Sequence, residues 1–249
     1  MLALSQYFQG AVLRVSCSSG MGVSTALAGL STVALASAAS LRIADVVDSA
    51  MSPRRSWLFS DGENASEARE SFQRAVVEPP SVGEAGAASF GVVLYRALGG
   101  TLNGVAPSAL HLPGAFSRFV ASLPATLEYA SDAERQALGA LGKLCGCHTC
   151  GTRAPASYVA DHMPPLKTVK LANAVWWRRL LGLKLSQRFY PQCQSCSTLQ
   201  SAAVRSGSTV LKYHVGPQSL RAHHATGALL VLGSLLMHER WWEGGGSGR

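Results

Sequence analysis

Cys147-His148-Thr149-Cys150 and, beyond a gap of 42 residues, Cys193-Gln194-Ser195-Cys196 decide how the rest of the chain is read. Two thiolates three positions apart can grip one metal ion from a tight turn. Two such pairs supply the four ligands of a tetrahedral zinc site. The spacing therefore predicts a small zinc module over residues 143–206, with Cys147, Cys150, Cys193 and Cys196 as the metal ligands and Zn2+ as the cofactor. Five of the six cysteines fall within 52 residues, and Cys17 and Cys145 are left over. That clustering argues against a disulfide framework spread along the chain. Cys145 and His148 are close enough in sequence to serve as substitute ligands. Cys150 is followed by Gly151 and Cys196 by Ser197, so covalent haem attachment, which needs a His there, is excluded.

Between the pairs stand Tyr158-Val159-Ala160-Asp161-His162-Met163-Pro164-Pro165, then a helical stretch, then Tyr190-Pro191-Gln192 leading into Cys193. A knuckle, an Asp-His-x-x-Pro step and a second knuckle opening a helix resemble, over about residues 145–204, the HNH and treble-clef zinc proteins. In HNH nucleases the His of that step is the general base on a water and the Asp helps to hold a catalytic divalent metal. The resemblance implies His162 as base, Asp161 as metal ligand, and Asn173 as the residue that orients the base. One position departs from the family: the residue after the second pair, usually His or Asn, is Ser197, a poor metal ligand. A carboxylate and an imidazole beside a zinc module can equally brace it by hydrogen bonding, and the reading leans to that non-catalytic role.

The flanks are expected to be helical. Ser131-Asp132-Ala133-Glu134 is a capping box that starts a helix running to about Leu144, within a helical pattern over Phe116–Leu144 interrupted at Pro124. Asn64-Ala65-Ser66-Glu67 reads as another, opening a helix through about Val77, and its first three residues also fit a glycosylation acceptor. Residues 83–104 are rich in glycine and alanine and are expected to hold the main linker. Thr168–Leu183 reads as one amphipathic helix carrying Trp176-Trp177-Arg178-Arg179. Ala225–Met237 is nearly all apolar and short for a bilayer span, which favours a buried core helix, although Trp241 and Trp242 stand where a membrane would place an aromatic belt. His223 and His224, as neighbours on a helix, are expected on different faces.

Val15–Leu41 is a run of 27 residues without a charge, with seven Ser, two Thr and three Gly among them. Three readings stand side by side. It is a targeting segment with Ala36-Ser37-Ala38 as cleavage site, a transmembrane helix packing through Gly22, Ala26, Gly29 and Val33, or a buried helix. Charge elsewhere is uneven. Residues 45–84 hold eight carboxylates, whereas Lys143–Arg221 hold eleven Lys or Arg against Asp161 alone. Such a basic stretch suits phosphate, anionic lipid or an acidic protein. Of all residues 47% are hydrophobic and only 14% charged, and the mean hydropathy is +0.16, which points to a surface covered by a partner or a membrane. There is no phosphate loop, nucleophile elbow or dinucleotide fingerprint.

The expected architecture is mainly α with a small treble-clef-like zinc module and a hydrophobic N-terminal helix or targeting segment. Its divisions are 1–44, a targeting or membrane segment; 45–115, loop-rich with short helices; 116–242, a helical region enclosing the zinc module; and 243–249, a flexible tail. The expected function is a non-catalytic, zinc-stabilised structural or interaction protein. It docks onto a membrane or a larger organellar assembly, with the mitochondrion favoured by the acid-free N-terminus. Expected partners are a protein assembly or an anionic membrane surface. The alternative is an HNH-like metal-dependent nuclease or nucleic-acid-binding protein acting through residues 143–221.

Overall fold

The computed structural model describes residues 2–18, 23–51, 81–126, 128–153, 157–214 and 216–244. The Asn64–Glu67 capping box, the acceptor triplet, Gly22, the side chains of Trp241 and Trp242 and residues 245–249 of the tail lie outside the described residues. The protein is mainly helical with a few short strands. It divides into two compact units, Met1–Gly29 with Thr101–Leu220, and Leu30–Gly100 with Arg221–Arg249. This division differs from boundaries at 44, 115 and 242.

In the first unit, α1 (Leu2–Tyr7) leads into a π-helical turn, Phe8–Val12. Gln6 ties it down. Its Nε2 donates to His214 Nδ1 at 3.1 Å and its side-chain oxygen accepts from His214 N at 3.2 Å, while His214 Nε2 donates to Ala106 O at 2.9 Å. Two-residue strands β1 (Ser108–Ala109) and β5 (Leu211–Lys212) pair antiparallel.

A three-stranded sheet carries the site. β4 (Arg188–Cys193) is central, with β2 (Leu123–Pro124) on one edge and β3 (Tyr158–Met163) on the other, all antiparallel. The register sets Tyr158 opposite Cys193, Asp161 opposite Tyr190 and His162 opposite Phe189. Because successive strand residues face opposite sides, Phe189 and His162 share one face while Asp161 and Gln192 share the other. α4 (Asp132–Cys145) covers the first face, where Leu138 and Ala130 bury Phe189, with Leu123 and Ala160 packed around them. The second face meets α7 (Gln194–Ser206) through Asp161 and Gln200. α4 starts where its capping box predicts. The Glu134 carboxylate accepts from Ser131 N at 2.7 Å, and Ser131 Oγ accepts from Glu134 N at 3.4 Å.

Two segments differ from the helical pattern. Before Asp132 the chain forms a 3-10 turn at Phe119–Ala121 and then β2, because pairing with β4 outweighs local propensity and an edge strand tolerates Pro124. The expected single helix over Thr168–Leu183 is two, α5 (Leu166–Ala174) and α6 (Trp176–Leu180), broken at Val175, whose ψ of 122° leaves the helical region.

The second unit holds α2 (Val23–Met51) from Leu30 onward, α3 (Val82–Ala97) and α8 (Thr226–Gly244). The expected linker at 83–104 is thus largely helix. Its signal is Ser81-Val82-Gly83-Glu84, a capping box in which Ser81 Oγ accepts from Glu84 N and Glu84 accepts from Ser81 N at 2.6 Å. The seam between these helices is made of small residues. Val33, Ser37, Ser40 and Ala44 line the buried face of α2; a Cβ on Gly91 of α3 would overlap the Ser37 side chain, and one on Gly227 of α8 would lie 2.9 Å from Ser40 Oγ. α8 is not a buried core helix: Leu230 is buried, but Leu229, Leu232, Leu236 and Met237 are exposed. His223 and His224 also differ from expectation. They sit in a 3-10 turn, Ala222–Ala225, with ring centroids 4.2 Å apart.

The Arg42 guanidinium bonds to the Glu84 carboxylate. With the Ser81 backbone amide it lowers the Glu84 pKa from its ordinary 4.5 to about 2. A carboxylate depressed on folding adds stability above its unfolded pKa and loses it as pH falls through the folded value. The stability difference between wild type and Glu84→Gln should therefore be full above pH 4.5 and vanish toward pH 2. Unfolding curves measured across that window check this; a constant difference would rule it out.

Candidate metal centre

Each cysteine pair is delivered by a local device. α4 ends at Gly146, φ 86°, and the turn that follows is closed by Gly151 N donating to Cys147 O and Cys147 N donating to Thr152 O, both at 2.8 Å. Gly151 has φ 76°, a left-handed conformation that suits glycine. The rest of the knuckle backbone is held as well. His148 N donates to Pro191 O at 2.9 Å, and Thr149 O accepts from Ser108 Oγ at 2.7 Å. The second pair straddles a helix start: Cys193 ends β4 and is the N-cap of α7, with Cys196 in its first turn. The positive end of α7 there favours thiolates.

The four Sγ atoms of Cys147, Cys150, Cys193 and Cys196 lie within 4.8 Å of one another. Cys150 Sγ and Cys193 Sγ are 3.7 Å apart. Four sulfurs around zinc at about 2.3 Å from the metal are separated by about 3.8 Å along each tetrahedral edge, so the donor set fits a metal ion. The spacing is far from the ~2.05 Å of a disulfide, and none of the six cysteines is in a disulfide. Cys147, Cys193 and Cys196 are buried and Cys150 is partly so. Hydrogen bonding with Cys147 holds Cys150 down at about 7 and Cys193 well below the usual thiol range, while bonding with Cys150 pushes Cys147 up and bonding with Cys147 pushes Cys196 up.

Beside the cluster, on the Asp161 face of the sheet, runs a closed ring of hydrogen bonds. Gly114 N donates to His148 Nδ1 at 3.3 Å, which assigns the proton to Nε2; that nitrogen donates to Asp161 Oδ2 at 3.2 Å. Gln200 Nε2 donates to Asp161 Oδ1 at 2.7 Å, Gln192 Nε2 donates to Gln200 Oε1 at 2.6 Å and to Thr149 Oγ1 at 3.2 Å, and Thr149 Oγ1 also accepts from His148 Nε2 at 3.2 Å. His148 is 1% exposed and Gln192 0%. With one ring nitrogen accepting from a backbone amide and the other donating to a carboxylate, His148 braces the knuckle and offers no lone pair to a metal. Gln192, Gln200 and Thr149 escape sequence reasoning, since only the meeting of β4, α7 and the knuckle beside Asp161 closes the ring.

The structure does not gather Asp161, His162 and Asn173 into one site. Asp161 lies in the ring just described. His162 is on the opposite face of β3, packed on Phe189 at 4.5 Å between ring centroids, and its Nε2 donates to Glu128 O at 3.0 Å and Thr126 O at 3.3 Å. The Asn173 side chain donates to Leu185 O at 3.2 Å and accepts from Leu185 N at 2.8 Å. Cys145 is partly buried and outside the four-sulfur cluster.

No family model, curated protein or solved structure matches the chain.

Proposed function

We propose that the chain is a non-catalytic protein whose first unit is organised by one zinc ion in a treble-clef arrangement and whose second unit docks into a membrane. One observation carries the first half of the reading. Four protein thiols converge on one point, and four sulfur ligands complete a tetrahedral zinc without leaving a position for water or substrate. The order supports a treble clef: a knuckle at Cys147–Cys150, the β3 and β4 pair, then α7 carrying Cys196 in its first turn. Asp161 and His162 on opposite faces of β3 favour bracing over nuclease chemistry. No cleavage of DNA or RNA with Mg2+ or Mn2+ is expected, and His162→Ala should leave the metal content at one zinc per chain; cleavage abolished by that substitution would restore the HNH-like reading.

The membrane half rests on polarity. In the second unit the seam is small and polar, at Ser37, Ser40, Gly91 and Gly227, whereas Leu35, Ile43, Phe90, Val93, Leu232 and Leu236 are each more than half exposed. Helices that pack through small residues and turn large apolar ones outward suit lipid better than water. α2 is long and apolar enough to cross a bilayer. The acid-free N-terminal stretch favours an organellar, mitochondrial membrane. Alkaline carbonate extraction of expressing cells tests this half: the chain should stay in the membrane pellet, and release into the supernatant would count against it.

A further inference from the structure

α6 has no buried residue. Trp176 and Leu180 are 73% and 76% exposed, and Leu171, Leu181 and Leu183 are exposed as well. A short helix that contributes nothing to a core and turns indole and leucine outward has another surface to meet. The excursion that carries it is built as a loop with a neck. Asn173 makes its two hydrogen bonds to the Leu185 backbone, which brings the ends of residues 174–184 together. At the far end Gly182, φ 67°, reverses the chain, and no atom lies within 4 Å of where its Cβ would stand. Leu183 N donates to Arg178 O at 2.8 Å, and the Arg178 guanidinium lies 5.5 Å from the Trp177 ring, so the tip is ordered by its own contacts.

Its charge is of one sign. Lys167, Lys170, Arg178, Arg179 and Lys184 stand among the exposed apolar residues in sequence, and no Asp or Glu occurs from 162 to 238.

We propose that the Asn173-necked excursion, residues 174–184, docks on the surface of an anionic lipid bilayer, with Trp176, Leu180 and Leu181 entering the headgroup region and the basic residues meeting lipid phosphate. The proposal deepens the membrane reading above and rests on it. Indole, leucine and arginine together are the side chains of a bilayer interface. Nucleic acid would be met by aromatic faces on which bases stack, and here the leucines outnumber the two indoles while Trp177 already lies beside Arg178. Asn173 is a positioning residue in this account. Its bonds hold the tip in shape and leave it no part in chemistry.

The test uses the full-length, metal-loaded chain with Trp57, Trp241 and Trp242 replaced by Phe, which leaves Trp176 and Trp177 as its fluorophores. The probes are phosphatidylcholine vesicles with and without phosphatidylglycerol, carrying spin-labelled acyl chains. Emission should shift to the blue and be quenched with the phosphatidylglycerol vesicles, and R178Q/R179Q should weaken that titration about thirtyfold. Asn173→Ala should weaken it too while zinc content stays unchanged. Flotation of the chain with vesicles without any change in Trp emission would overturn this proposal and leave the membrane reading standing. No flotation with either vesicle would overturn both. Emission that responds to an oligoribonucleotide and not to vesicles would replace the bilayer with nucleic acid.

Discussion

Cys147→Ser/Cys193→Ser should lose its zinc and, with it, the fold of the first unit. Each pair forfeits one thiolate, so neither half of the cluster retains a complete grip. The 42 residues between the pairs include β3 and all of β4 but Cys193, and their closure onto the knuckle is part of what the metal supplies. Zinc held by such ligand sets contributes about 10–16 kcal/mol near neutral pH, as much as the whole stability of an ordinary domain at about 5–15 kcal/mol. The sulfur cluster sits at the junction of α4, β4 and α7, so metal loss reaches all three. Circular dichroism and elemental analysis of the purified variant check this together. Unchanged helicity and melting in a zinc-free double variant would show that the cysteines are ordinary buried thiols.

A second large effect is expected at His148. His148→Ala opens a cavity at a position that is 1% exposed, removes the donor to Asp161 Oδ2 and leaves Gly114 N without its acceptor. Leaving a buried carboxylate and a buried amide each short of a partner costs about 1–3 kcal/mol per group, and the emptied imidazole site adds a cavity cost. Because His148 carries no lone pair free for a metal, one zinc per chain should remain at low temperature while the urea midpoint falls. The pair is coupled through the shared hydrogen bond, so His148→Ala/Asp161→Ala should cost clearly less than the two single changes added together. Additive losses, or zinc lost along with His148, would refute the bracing role and return the imidazole to the ligand set.

The metal centre is the most legible part of this chain because its signal is local. Two pairs of cysteines at fixed spacing need only a turn and a helix start to present their sulfurs, and Gly151 and the N-terminus of α7 provide both. The capping box at Ser131–Glu134 is local in the same way and marks α4 correctly. What the sequence hides is pairing at a distance. Phe116–Leu144 carries helical periodicity, yet Leu123 and Pro124 are taken up by β4, whose partners lie more than sixty residues away. Asp161 and His162 are adjacent in sequence and look like one catalytic step. Strand geometry turns them to opposite faces, where one meets His148 and the other Phe189. Asn173 likewise has a use that motif reasoning does not suggest, as the neck of a loop.

Ser81–Glu84 marks a helix that composition conceals. Its capping box stands just ahead of a glycine- and alanine-rich run that reads as linker, and α3 forms because its small residues let α2 and α8 approach closely. Composition alone cannot separate a flexible connection from such a helix, since glycine and alanine serve both.

X-ray absorption at the zinc edge of the purified wild-type chain reads the ligand shell of the metal itself. One zinc per chain is expected, with a first shell of four sulfurs at about 2.3 Å and no lighter scatterer. A shell containing nitrogen or oxygen would mean that His148 or water occupies the metal and that the site is open to chemistry. A chain that binds no zinc under reducing conditions would mean that the four cysteines are not a metal site at all.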